Sequence, residues 1–421
     1  MRWLRDCAYL TAVTATAPIW AWRMHRTGKL RTDWNARFGA GNALPRKAAL
    51  RILVHAVSVG EVNAIRQLVE RLATDAIAPE VVVSATTDTG TARAHEVFGR
   101  AGHAVVRYPF DASWMVERFL DRVQPDLVAL TELEVWPNFV DACAARGIPV
   151  VVVNGRLSAR SFSRYIRVRG LLAGTFAKLQ AVLAQNQDYA ERFRRLGVPN
   201  GRVYVTGTMK WDTAQVADHV PGADALAQEL GIDRSRPLVV AGSTAPEEHA
   251  LLRDAVPKGV QLLCAPRKPE WFDAAAETLA GCARRSKGER GSAKGLFLLD
   301  TIGELRKAYA LADVVVIGRS FGQLHGSDAM EPAGLGKALV TGPRYGDFQE
   351  SSDALLRAGA MQRVDATRLP ATLRELLGDA ALRARMGSAA RRTVLENQGA
   401  TQRTADALLA LVARTAGATD A

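Results

Sequence analysis

The chain has 421 residues, more than one hydrophobic core commonly organises, so two or three domains of about 100 to 200 residues each are expected. Its composition, 48% hydrophobic and 23% charged without a biased tract, excludes a disordered or fibrous protein. The formal charge of +12 leaves three kinds of partner open: nucleic acid, an anionic membrane surface or an acidic substrate.

Charge is concentrated at the start. Up to Arg51 there are ten basic residues and two acidic ones, Asp6 and Asp33, which is +8, so the other 370 residues carry only +4. Inside this leader the stretch from Cys7 to Trp22 is uncharged and flanked by arginines, and four of the eight tryptophans (Trp3, Trp20, Trp22, Trp34) fall within it or beside it. Trp with Arg or Lys at the ends of an apolar segment is the chemistry of a membrane interface. Sixteen uncharged residues, three of them Thr and one Pro18, fall short of the roughly 20 that span a bilayer, so a monotopic or barely spanning anchor is expected. Two other readings stay open: a signal peptide cleaved near Ala15 and Ala17, and an amphipathic first helix packed on its own domain. A nucleic-acid partner is not expected, because the charge is not spread over a folded face. The four cysteines (Cys7, Cys143, Cys264, Cys282) have no metal-like spacing and fit a reducing compartment.

From Arg51 onward, apolar runs suited to buried parallel strands alternate with helix-like stretches. The expected strands are Arg51 to Val57, Val81 to Thr86, Ala104 to Tyr108, Leu127 to Leu130, Val150 to Val153, Ala181 to Ala184 and Val203 to Thr206. Asn63 to Ala73 and Met115 to Val123 are among the helical intervals. Beyond a weakly patterned segment, a second series follows: Leu238 to Gly242, Gln261 to Ala265, Leu296 to Asp300, Val314 to Ile317 and Ala338 to Thr341. Two doubly wound α/β domains are expected, facing a ligand cleft. Ser286 to Gly295 reads as an exposed basic loop, and the tail as helix.

Four places hold more polar residues, Gly and Pro than packing requires, and each follows an expected strand. In Ser58-Val59-Gly60-Glu61, a carboxylate at a helix start is either a general base or an ordinary partner of the helix dipole. In Thr86-Thr87-Asp88-Thr89-Gly90-Thr91, hydroxyls and amides hold an anion or sugar, or simply cap a helix. Glu132 and Glu134, two residues apart ahead of Pro137, suit acid/base work or positioning of a substrate. In the second half, Gly242-Ser243-Thr244, Pro266-Arg267-Lys268 and the run from His325 to Lys337 are similar to a nucleotide pocket, with Arg for a phosphate and Glu331 for ribose hydroxyls. No Walker loop, dinucleotide fingerprint, zinc-protease motif or Asp-x-Asp pair is present.

Six segments in this order resemble the 3-deoxy-D-manno-octulosonic acid (Kdo) transferase family of lipopolysaccharide synthesis: Ser58 to Glu61, Glu132 to Asn138, Asn154 to Ser158, Thr206 to Asp212, Ala241 to Thr244 and Glu331 to Ala333. The resemblance covers nearly the whole chain. It implies an α/β GT-B glycosyltransferase of two Rossmann-like domains, with an anchor over residues 1–40, an acceptor domain over 41–215, a linker over 216–236, a donor domain over 237–395 and a C-terminal helix over 396–421 that crosses back. The implied reaction is inverting transfer of Kdo from CMP-Kdo to the lipid A precursor, without metal or cofactor, on the cytoplasmic side of the inner membrane and its anionic surface. Glu61 matches the catalytic base. Lys210, Ser243, Thr244, Pro266, Arg267, Gly326, Ser327, Asp328, Met330 and Glu331 match the donor site, and Ser58, Gly60, Thr87, Glu132 and Arg156 the acceptor side. One loop departs from the family: where Gly-Gly-His-Asn is usual, this chain has His325-Gly326-Ser327-Asp328, so the family His is missing unless His325 takes its place. A transferase or epimerase using a UDP-sugar or another CMP-sugar is the alternative.

Overall fold

A computed structural model describes residues 2–26, 32–45 and 49–419. The chain divides into two compact units, Met1–Thr213 with Gln398–Ala421, and Ala214–Asn397. Each is built on a seven-stranded parallel sheet.

In the first unit the strands are β1 (Arg51–Ala56), β2 (Glu80–Ala85), β3 (Ala104–Arg107), β4 (Leu127–Thr131), β5 (Val150–Gly155), β6 (Ala181–Ala184) and β7 (Val203–Val205). Their order is β3-β2-β1-β4-β5-β6-β7. Every residue of β1, β4 and β5 is buried, as the continuous apolar runs require of strands covered on both faces. Alternation divides the core accordingly: Leu53 packs on one face with Phe119 and Phe139, and Ile52 and Val54 pack on the other with Leu68 and Val69.

The second unit holds β8 (Leu238–Thr244), β9 (Gln261–Pro266), β10 (Ala283–Arg284), β11 (Leu296–Leu298), β12 (Val314–Ile317), β13 (Ala338–Thr341) and β14 (Met361–Arg363), in the order β10-β11-β9-β8-β12-β13-β14. The two edge strands β10 and β14 are absent from the expected series. They are two and three residues long, too short to show a run of their own.

The structure refines three expectations. The interval expected as a linker, 216–236, carries the helix Ala223–Leu230, whose Ala223, Leu226, Ala227 and Leu230 are buried within the second unit. The basic stretch 286–295 is exposed over most of its length, yet its start is pinned: Ser286 donates from both its amide and its hydroxyl to Asp300. The expected helix Asn63 to Ala73 is two helices, Val59–Ala64 and Arg66–Ala73, separated at Ile65.

Residues Arg2–Arg26 form one helix that contains Pro18. Its foot docks on the first unit, where the Asp6 carboxylate accepts from the Ser113 amide at 2.9 Å and from Asn138 Nδ2 at 3.0 Å. Farther along, Val13, Ile19 and Trp22 are exposed. Among the described residues no helix is long and apolar enough to cross a membrane. At the other end, the helix Ala400–Thr419 contributes Leu408 and Val412 to the core face of the first unit.

Candidate active site

In the first sheet the chain runs outward from β1 to β2 and β3, then returns to place β4 on β1's other side. In such sheets the crevice for ligands lies beyond the carboxyl ends of the two strands where the order reverses, here β1 and β4. The two acidic motifs emerge there. After β1, Ser58 caps the helix Val59–Ala64 and Glu61 sits in its first turn. The Glu61 carboxylate accepts from Ser58 Oγ at 3.0 Å, the Val57 amide at 2.9 Å and Thr131 Oγ1 at 3.0 Å. This is a variant of the capping box, with the carboxylate reaching one residue farther back than usual. Three donors fix the side chain, and its two oxygens retain lone pairs for a further one.

After β4, Glu132 adopts φ +54, a left-handed conformation that a non-glycine residue takes at a cost. Its carboxyl is raised by burial and by the charge of Glu61, against which Arg156 and Lys210 pull. Burial also raises Glu134; the Trp136 indole N–H, 2.8 Å from Oε2, opposes this, and the charges of Glu61 and Glu132 add to it. Glu61, Glu132, Glu134, Arg156 and Lys210 thus form one electrostatic cluster in the first unit.

Lys210 reaches the cluster because its neighbours are locked. Met209 and Trp211 are buried, the Met209 amide donates to Asn154 Oδ1, and Asp212 accepts from the Gly399 and Thr401 amides. Lys210 between them is exposed. Expected at the donor site, it lies beside Glu132 in the first unit, whereas the other donor candidates belong to the second. Two acceptor-side candidates serve as helix caps. Thr87 Oγ1 donates to the Val57 carbonyl and accepts from the Gly90 amide, and Ser58 caps the helix Val59–Ala64. A Cβ at Gly60 would meet only Ser58 Oγ, at 3.8 Å, so a ligand can approach that backbone closely.

The second sheet reverses between β8 and β12, and the donor candidates gather there. Ser243, at φ +56, is the next-to-last residue of β8, and Gly318, just after β12, lies so close to it that a Cβ there would be 2.6 Å from Thr244 Cα. Ser327 Oγ donates to the Ser243 carbonyl at 3.4 Å, and the Arg267 amide donates to the Thr244 carbonyl at 3.0 Å. Gly326 needs its φ of +84, and a Cβ there would lie 2.7 Å from Tyr345 Cα. The Thr244 hydroxyl is buried against His249 Nε2 at 2.9 Å, and Pro266 is buried at the end of β9; Arg267 is exposed. The helix expected after the glycine loop is short, Met330–Gly334, so it offers a few amides rather than a long dipole. Asp328 Oδ1 accepts from the Met330 amide at 2.8 Å. Burial raises Glu331; Arg306 opposes this and Asp328 adds to it. His325 is exposed, with Nδ1 facing Gly346.

Two residues absent from the candidates organise these ends. Glu248, fully buried, accepts from the amides of Ala245, Arg319, Ser320 and Phe321 at 2.7 to 3.0 Å and so shapes the turn after β12. Its sequence signal is Pro246 with a Glu two residues on, a helix-start pattern. Asn154, at φ +51, accepts from the Met209 amide, and its signal is its place at the head of the family-like segment Asn154 to Ser158. Among the described residues no group of three His, Cys, Asp or Glu side chains converges as a metal site.

Known proteins carry the same plan. The chain is 34% identical to a 3-deoxy-D-manno-octulosonic acid transferase of Bordetella pertussis over 95% of its own length and 98% of that protein's. It is 31% identical to the Haemophilus influenzae protein of that name, over 85% and 86%. Among solved structures, a glycosyltransferase of Rickettsia africae superposes with a TM-score of 0.57 at 12% identity, over 88% of this chain and 99% of that one. The UDP-GlcNAc 2-epimerase of Neisseria meningitidis gives 0.57 at 12%, over 86% and 100%. These two share the GT-B fold alone. The sequence profile of the 3-Deoxy-D-manno-octulosonic-acid transferase (kdotransferase) matches residues 32–213, which hold the whole carboxylate cluster. With that profile and relatives matched over 85% or more of both chains, the chain belongs to the Kdo transferase family of glycosyltransferases.

Proposed function

We propose that this Kdo transferase takes Kdo from CMP-Kdo and attaches it to an acylated disaccharide phosphate, the lipid A precursor, with Glu61 as general base. The observation that carries this reading is the Glu61 carboxylate, fixed by three donors at the switch point of the first sheet, beside Glu132, Arg156 and Lys210. As the acceptor hydroxyl attacks the anomeric carbon, its proton passes to Glu61 while the bond to the CMP phosphate breaks. A single displacement inverts that carbon. In the second unit, Arg267, the amides around Gly326 to Met330 and the Ser243 turn suit the CMP phosphate, and Glu331 suits its ribose. Glu132 and Glu134, half-buried in the same cluster, are placed to hydrogen-bond the acceptor sugar.

Replacing Glu61 with Gln keeps the shape and removes the base. The expected loss in kcat is about 10²- to 10⁴-fold, with KM for CMP-Kdo little changed. A folded Glu61→Gln enzyme with near-normal turnover overturns the assignment.

We also place the enzyme on the cytoplasmic face of the inner membrane. Supporting this are the leader's basic residues, each worth about 1 kcal/mol at an anionic surface, and the exposed Ile19 and Trp22 of the first helix. Deleting residues 1–26 is expected to release the enzyme from anionic vesicles while turnover on detergent-dispersed acceptor falls less. Equal loss of both, with folding intact, points instead to a helix that belongs to the catalytic unit.

A further inference from the structure

The body of the chain is not evenly neutral. Between Asp141 and Asp188 there is no acidic residue, and seven basic ones lie there. Among the seven, Arg146 pairs with Glu117 and Asp121, and Lys178 with Asp141. Arg160, Arg164, Arg167 and Arg169 are all exposed on the helical segment from Ala159 to Phe176, and none forms an ion pair with a described carboxylate.

This segment closes one side of a cavity of about 480 Å³, within the size range of small-ligand sites. Leu133, Val135 and Trp136 line it from the loop after β4, and Tyr165, Val168 and Leu172 from the basic segment, with Glu134 and Arg164 as its charged members. Its surroundings stay apolar at the surface: Leu171 is 76% exposed, Val168 45% and Trp136 42%. Such a patch beside exposed arginines suits an amphiphile with an anionic head, since guanidinium groups bind phosphate bidentately. The wall formed by Leu133 to Trp136 is also the loop that carries Glu132, so the cavity adjoins the carboxylate cluster through Glu134.

We infer that this cavity is a subsite for one acyl chain of the acceptor lipid, with Arg164 and Arg160 holding a phosphate of the same molecule. The inference rests on the acylated acceptor proposed above and adds where it is gripped. General attraction to a bilayer is a different outcome, because it needs the arginines but not the cavity.

Two measurements on the full-length enzyme decide it. In the first, dodecyl phosphate, kept below its micelle concentration, is titrated into the protein by calorimetry. Saturable one-to-one binding is expected, weakened about tenfold or more by Val168→Glu and by Arg164→Ala. Both side chains are exposed, and unfolding curves confirm that the variants fold. No binding by the natural protein, or equal binding by both variants, overturns the inference. In the second, Val168→Glu is expected to raise KM for the acylated acceptor about tenfold, with KM for CMP-Kdo unchanged and transfer to a deacylated acceptor within twofold. Equal loss on both acceptors overturns the chain subsite, as does a variant that loses only anionic-vesicle association. An enzyme that binds dodecyl phosphate as expected, yet transfers Kdo to neither acceptor, sinks the proposed acceptor and supports the subsite as a lipid site.

Discussion

His55 lies in β1 directly behind the carboxylate cluster, fully buried, with its ring stacked on Tyr108 at 3.8 Å and Nδ1 2.9 Å from Ser84 Oγ. Its carbonyl accepts from Thr131, the residue that also holds Glu61. Burial pushes its pKa down from 6.5 to about 3. The neutral ring therefore contributes stability that is fully present above pH 6.5 and is lost as pH falls toward 3, at about 1.4 kcal/mol per pH unit. Between pH 6.5 and 5 the first unit should lose about 2 kcal/mol from this group, and His55→Asn should flatten that part of the pH profile in urea unfolding. An unchanged slope in the variant assigns the acid sensitivity elsewhere. Glu248 makes a comparable case in the second unit. Glu248→Gln replaces one acceptor oxygen with a donor facing two amides, so a loss of about 1–3 kcal/mol is expected, together with a raised KM for CMP-Kdo. A variant with natural stability shows that the turn after β12 does not depend on it. The role of His55 is not visible in the sequence, where a His inside an apolar run looks like many others, and the Pro246 pattern marks Glu248 as a helix start but not as the partner of the turn after β12. Glu61 was legible because Ser-x-x-Glu after a strand is a local pattern. Its partner Thr131, seventy residues away, depends on the sheet order.

At the scale of elements, legibility followed burial. The central strands were readable because parallel strands covered on both faces are written as unbroken Val, Leu and Ala runs. Edge strands β10 and β14 need only a few paired residues and left no such run. The helix Ala223–Leu230 was missed for another reason: its apolar positions are mostly Ala, which blends into a weakly patterned stretch. The first helix is the element whose role most needs a test. Its foot is tied down through Asp6 to Ser113 and Asn138. Asp6→Ala removes the acceptor of both bonds, so the Ser113 amide should exchange hydrogen about tenfold faster or more, with the amides of β1 and β4 unaffected. Unchanged exchange at Ser113 indicates that other contacts hold the helix in place.

At the scale of the whole molecule, net charge misleads in the same way twice. The total of +12 resolves into a basic leader and a body of +4, and the body's +4 hides an acid-free stretch of more than forty residues whose helical segment exposes four arginines. Sums over long windows erase such patches, whereas contact with a charged ligand is local. The order of the chain also matters at this scale, because the last helix belongs to the unit that begins the sequence. Ala400, Ala405, Leu408, Leu409 and Val412 are buried with Val69 and Leu72 of the helix Arg66–Ala73, and Asp212 caps the turn that leads into them through Gly399 and Thr401. Burying a Leu or Val side chain stabilises by roughly 1.5–3 kcal/mol, so the three larger residues together approach the whole stability of an ordinary domain, about 5–15 kcal/mol. A chain ending at Asn397 should therefore leave the first unit open to proteolysis within residues 49–213 while residues 214–397 stay resistant. Limited proteolysis with mass spectrometry reads this directly. Equal resistance of both units after truncation means that the returning helix is an appendage, and that the first sheet keeps its core without it.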